Sequence, residues 1–192
     1  MRYSPDHKAQ TRQRIIKEAS VRFRRDGIGA TGLQPLMNAL SLTHGGFYAH
    51  FTSKDELVEK ALQAAGAQLD AHCEMLFSQE HPLEAFIDNY LSLWHQTSPG
   101  EGCPLPTMSA ELGLRGQPSA TTDAVLGARL KQIETALGDR RRDAAGLMVM
   151  STLVGALVLA RSVEDSALGL RIMEVVRESL KTLLQDDKKA DH

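Results

Sequence analysis

The chain has 192 residues, enough for one domain or for a small head joined to a larger body. Hydrophobic residues make up 42% and charged residues 24%, the balance of a globular protein, and no run approaches about 18 consecutive apolar residues, so a membrane span is not expected. The net charge of −2 hides an asymmetry: positions 1–60 hold ten Lys/Arg against six Asp/Glu and the rest holds twelve against eighteen, which suggests a head that meets a polyanion and a body that does not.

The opening MRYSPDHKAQTRQRII has charges but no apolar core behind them, unlike a secretory signal, and a cytoplasmic protein is expected. Cys73 and Cys103 lack both the dense spacing of a disulfide scaffold and the C-x-x-C spacing of a zinc site, so both are expected as thiols. The seven histidines form no ligand-spaced set, and no metal site is expected. There is no phosphate loop, no G-x-S-x-G and no evident triad, which argues against an enzyme and implies no cofactor.

Helical apolar spacing recurs along the chain without β-type alternation, so the fold class is all-α: a three-helix head followed by a helical body. The first helix is expected from Ala9 to Asp26, with Ile15, Ile16, Ala19 and Phe23 on one buried stripe. Gly27 is a candidate left-handed cap, and Gly29 loosens the connection beyond it. A short helix from Leu33 to Leu40 follows, with Gly32 as N-cap and Pro35 in its first turn. Thr43 then caps a second short helix, His44 to Phe51, which Gly45 and Gly46 weaken.

Two short helices joined by about three residues are a helix-turn-helix, which reads DNA with the start of its second helix. His44 can hydrogen-bond bases or phosphate, Tyr48 and His50 can bind phosphates, and Lys54 can add charge. Gly45 and Gly46 permit close approach to the DNA backbone, while Phe47 and Phe51 are expected in the head core.

Ser53 and Glu56 fit a capping box opening a long helix through Leu57 to Phe77. His81-Pro82 ends it, and a helix from Leu83 to about Gln96 would place Tyr90 and Trp94 on one face. Breakers fill Ser98–Pro104; further helices are expected at Leu105–Leu114, Thr121–Leu137, Arg140–Val163 and Asp165–Leu184, before a charged tail from Gln185 to His192. The expected division is a DNA-binding domain over 1–53 and a ligand-binding and dimerisation domain over 54–192. Residues 147–160 carry hardly any polar side chain and should be buried on all sides. With Leu168, Ile172, Val175, Val176, Leu180 and Leu183 they suit a four-helix homodimer interface, the alternative being a single large core. Phe77, Phe86, Tyr90, Trp94, Met108 and Leu112 are candidates to line a ligand pocket or, equally, an ordinary core.

Positions 12–60 resemble the head of the tetracycline-repressor (TetR) family. The resemblance rests on Arg14-Ile15-Ile16, Ala19, Phe23, Gly27 and Thr31, then on Ala39 through Phe51 and on Ser53-Lys54-Asp55-Glu56-Leu57. It implies a homodimeric repressor on a palindromic double-stranded DNA operator, released by a small-molecule inducer. It also implies DNA contacts at Thr43, His44, Gly45, Tyr48, His50 and Lys54, with Thr31 near the backbone. Ser41 stands where the family turn usually has glycine, and Pro35 is unusual in the short helix.

The segment Gly102-Cys103 through Glu111-Leu112 is similar to an element of a subset of family bodies, some of which answer electrophiles or oxidants. Cys103 just before a helix start could be held as a thiolate, the nucleophilic form. The alternatives are a structural Cys103 with a reversible, noncovalent ligand, or a nonspecific architectural DNA binder, against which the modest head charge argues.

Overall fold

Helical spacing governs the computed structural model, which describes residues 5–138 and 142–189; among these residues no strand forms. The helices are α1 (Pro5–Asp26), α2 (Leu33–Ala39), α3 (Lys54–Phe77), α4 (Pro82–Tyr90), α5 (Leu93–Thr97), α6 (Ala110–Leu114), α7 (Ala120–Leu137), α8 (Arg142–Ser162) and α9 (Ser166–Lys189). A 3-10 helix, His44–Ala49, lies between α2 and α3, and a π turn, Leu105–Ser109, leads into α6. The expected start of α8 at Arg140 and the last residues of the charged tail lie outside the described residues.

The chain forms two compact units, one holding residues up to Leu69 with Pro99–Asp123, the other holding Asp70–Ser98 with Ala124 onward. This division differs from a cut after residue 53. In the first unit Ile15, Ile16, Ala19 and Phe23 of α1 form the expected buried stripe. They join Leu36 and Met37 of α2, Phe47 of the 3-10 helix, Phe51, and Leu57, Val58, Ala61 and Leu62 of α3 in one apolar core. Met108 and Leu112 belong to the same core, because the π turn packs on α1.

Local chemistry sets the boundaries. Gly27 adopts φ +90° and its N–H returns to the Phe23 carbonyl, ending α1. Gly32 is the N-cap of α2, and the Thr43 hydroxyl accepts from the Gly46 N–H. The following segment is 3-10 rather than α-helical and stops at Ala49, as its two glycines allow. The capping box forms by half: Ser53 Oγ accepts from Glu56 N–H, but the Glu56 carboxylate reaches the N–H and hydroxyl of Thr52.

In the second unit, the single helix expected over Leu83–Gln96 breaks at Leu91–Ser92, where Ser92 caps α5 by accepting from the His95 N–H. The break separates Tyr90, buried, from Trp94, half exposed, so the two do not share a helix face. The helix expected over Leu105–Leu114 is likewise divided into the π turn and α6. The guanidinium of buried Arg129 pairs with Asp70. Gln96 donates to the Ala160 carbonyl at 2.9 Å, and Arg161 donates to the carbonyls of His95 and Gln96, tying α5 to α8.

Residues Ala144–Ser162 are long and apolar enough to cross a membrane by length and composition. One side of α8 is buried through Val149, Met150, Leu153, Ala156, Leu157 and Ala160, where the helix packs on α9 and α5. The other side exposes Leu147, Met148, Val158 and Leu159, so burial on all sides is not met within one chain.

Ser41 is the one non-glycine residue with positive φ, at 59°, among the described residues. Left-handed backbone costs an L-residue about 1–2 kcal/mol, part of which glycine returns through its freer unfolded chain. Ser41→Gly is expected to raise stability by about 0.5–1 kcal/mol, read from the urea midpoint at unchanged slope.

Candidate nucleic-acid interface

The 3-10 helix His44–Ala49 is held from below and open above. Phe47 is fully buried and stacks on Phe51 at 5.3 Å between ring centroids. Arg12 lies 4.7 Å over the Phe51 ring, donates to the His50 carbonyl at 3.3 Å and pairs with Glu56 at 3.0 Å, joining α1, the end of the 3-10 helix and the start of α3. Thr43, His44, Gly45 and Tyr48 are exposed, and Tyr48 is 61% accessible. The His44 and Tyr48 rings meet edge to face at 6.1 Å, so both lie on one face. A Cβ at Gly45 would meet nothing within 4 Å, which leaves its backbone open to an outside surface.

Three further sequence candidates are turned inward. The hydroxyl of buried Thr31 donates to the Gly27 carbonyl at 2.7 Å. The Lys54 ammonium donates to the carbonyls of Ile28 at 2.5 Å and Thr31 at 2.7 Å, which corrects the picture of a charge held out toward phosphate. Burial and Arg115 draw its pKa down, against Glu111 and Asp55. His50 is partly covered; its buried Nδ1 has no hydrogen-bond partner among the described residues. Burial, then Lys8 and Arg12, lower its pKa below the ordinary histidine value.

Sequence reasoning missed the polar groups joining residues 99–118 to the helix-turn-helix. Glu111 accepts from the backbone N–H of Ile28 at 2.5 Å and of Gly29 at 2.7 Å, and pairs with Arg115. Burial pushes the Glu111 pKa up, but the two N–H groups and Arg115 outweigh it and hold it below the usual carboxylate value. The Arg24 guanidinium, 1% accessible, donates to the carbonyls of Ser20 and Gly102 and to Gln68. Burial lowers its pKa, while nearby Glu101 and Cys103 oppose that shift. Cys103 therefore has a basic neighbour, distant in sequence, that the local residues did not reveal. The Glu111-Leu112 pair of the quoted element was the only hint of these joints in the sequence.

The seven ligand candidates are divided. In the second unit Phe77, Phe86 and Tyr90 make a row with centroid spacings of 5.1 and 5.7 Å, and His95 closes it 4.8 Å from Tyr90. Trp94 stands outside the row at 49% accessibility. In the first unit Cys103 is buried, and Met108 and Leu112 are head-core residues. A cavity of about 170 Å³ in the first unit is lined by Asp55, Val58, Glu59, Leu112, Arg115, Gln117 and Pro118, sharing only Leu112 with the expected lining.

A capped short helix seated on a three-helix core, with its polar edge outward, defines the class: a helix-turn-helix transcriptional regulator. Residues 15–61 match the family model of the bacterial regulatory proteins, tetR family. The chain is 24% identical over 182 residues to the HTH-type transcriptional regulator YxaF of Bacillus subtilis (strain 168), spanning 88% of this chain and 94% of that protein. Its fold is similar to a TetR transcriptional regulator from Chloroflexus aurantiacus J-10-FL, with TM-score 0.79, 24% identity and coverage of 94% and 96% of the two chains. It is also similar to SmeT, the repressor of the Stenotrophomonas maltophilia multidrug efflux pump SmeDEF, with TM-score 0.63, 17% identity and coverage of 92% and 91%. The head over residues 15–61 thus matches the tetR family, and the chain is similar along most of its length to HTH-type transcriptional regulators.

His50 sets a pH dependence. With its pKa depressed in the fold, the unfolded chain takes up a proton first as pH falls, so the neutral ring's contribution is complete above the ordinary value near 6.5 and is lost below it. The urea midpoint is expected to fall between about pH 7.5 and about pH 5.5, and to fall less in His50→Gln.

Proposed function

We propose that the protein is a repressor that binds a palindromic operator as a homodimer and leaves it when a small molecule binds. The observation carrying this reading is the exposed edge of Thr43, His44, Gly45 and Tyr48 on a helix anchored by Phe47. Thr43, His44, Gly45 and Tyr48 contact the DNA, with His50 beside the phosphates and Thr31 and Lys54 shaping the backbone that approaches them. The description of SmeT as a repressor supports repression rather than activation.

Dimerisation is supported by the unpartnered side of α8, where Leu147, Ser151, Gly155, Val158, Leu159 and Ser162 recur at helical spacing. Leu168, Val175 and Leu183 of α9 are also exposed. Two copies of such a helix pair make a four-helix interface around a twofold axis and bring two heads to the two halves of a palindrome. For the inducer, the row Phe77, Phe86 and Tyr90 supplies an apolar wall. A second reading, an electrophile signal at Cys103, is favoured by the Arg24 charge beside it, which stabilises a thiolate.

Electrophoretic shift with the chain's own upstream DNA tests the first claim. Selective binding should weaken steeply between about 50 and 200 mM salt, and Tyr48→Phe or His44→Ala should cost about tenfold in affinity; a chain that binds random DNA equally well is not this repressor. Leu159→Glu should sediment as a monomer and lose about a hundredfold or more in operator affinity, because the heads no longer bind together. Cys103→Ser should bind operator as the parent does; if an electrophile still releases it, Cys103 is not the sensor.

A further inference from the structure

Beyond the helix-turn-helix itself, and resting on the operator-binding reading above, we propose that Glu111 is a positioning residue for DNA recognition: its carboxylate sets the α1–α2 connection and thereby the angle at which α2 and the 3-10 helix are presented. Glu111 lies some eighty positions from the backbone it grips. Its Oε2 accepts from Ile28 N–H at 2.5 Å and its Oε1 from Gly29 N–H at 2.7 Å. Each oxygen takes one of two successive amides, which fixes the plane of the connection in a way that a single bond would not. Lys54 grips the same connection through its carbonyls, at Ile28 and Thr31. The connection is thus held by an anion on its N–H groups and by a cation on its C=O groups, each the charge that strengthens the bond.

Glycine at position 29 is built for this grip. A Cβ there would stand 2.9 Å from Glu111 Oε1 and 3.1 Å from Arg115, closer than side chains tolerate. Gly29 does not have positive φ, so its backbone conformation does not require glycine; the approaching carboxylate does. Because the obstructed atoms are the tips of flexible side chains, Gly29→Ala displaces the carboxylate while leaving the fold in place.

The experiment uses the full chain and two duplexes: the tightest one selected by the parent protein from a random-sequence pool, and a scrambled duplex of equal length. Glu111→Ala should bind the selected duplex about tenfold more weakly and the scrambled duplex as the parent does. Gly29→Ala should show the same loss of selectivity, and the double variant should lose no more than Glu111→Ala alone. Equal weakening on both duplexes would mean a smaller folded fraction and would overturn the positioning role, as would unchanged selectivity in Glu111→Ala. Additive losses in the double variant would overturn it too, since Gly29 would then act without Glu111. A parent chain that selects no duplex overturns the operator reading, and this proposal with it.

Discussion

Phe47 carries the 3-10 helix that faces outward. A six-residue helix with two glycines has too few internal hydrogen bonds to persist by itself, so its shape must be imposed by packing. Complete burial of one phenylalanine contributes about 2–3 kcal/mol, and Phe47 buries its ring against Phe51 within the core shared by α1, α2 and α3. With that anchor in place, the neighbours of Phe47 point the other way: His44 and Tyr48 emerge side by side, and Gly45 presents bare backbone. The exposed face follows from the buried one.

Around this apolar anchor the precise angles are set by polar groups that burial would otherwise penalise. Arg24 is almost wholly buried and meets carbonyls of Ser20 and Gly102 and the Gln68 side chain; Glu111 meets two amides and Arg115. A buried charge without partners costs several kcal/mol, so these contacts are directional requirements rather than optional additions. They explain why Pro99–Asp123 forms one compact unit with the head, and why Met108 and Leu112 serve its core. In the second unit, Arg129 with Asp70 and Arg161 with the carbonyls of His95 and Gln96 follow the same rule.

The all-α class, the stripe of α1, the break at His81-Pro82 and the N-caps at Gly32 and Thr43 were legible in the sequence because each depends on residues within a turn or two of one another. The outward Tyr48 and inward Phe47 were legible for the same reason. Ser41 was legible as an unusual turn residue, and its φ of 59° confirms that the turn needs the left-handed region. The break at Leu91–Ser92 was not, since serine inside an apolar pattern reads equally well as an exposed helical position; only the bond from His95 N–H shows it as a cap.

The sequence by itself determined the all-helical class and the helix-turn-helix motif of the head, because short-range spacing and a dense cluster of motif residues are enough to specify them. Tertiary structure alone decided the jobs of the charged side chains. Lys54 was read as a cation for phosphate and instead holds two carbonyls; Glu111 was one letter in an element and instead grips two amides; Arg24 was one of several basic residues of α1 and instead sits buried beside Cys103. A long charged side chain reaches any partner the fold brings near, and its sequence neighbours do not reveal which. The apolar stripe of α8 shows the same division: composition required that it be covered, and the fold decided which half one chain covers and which half it leaves open.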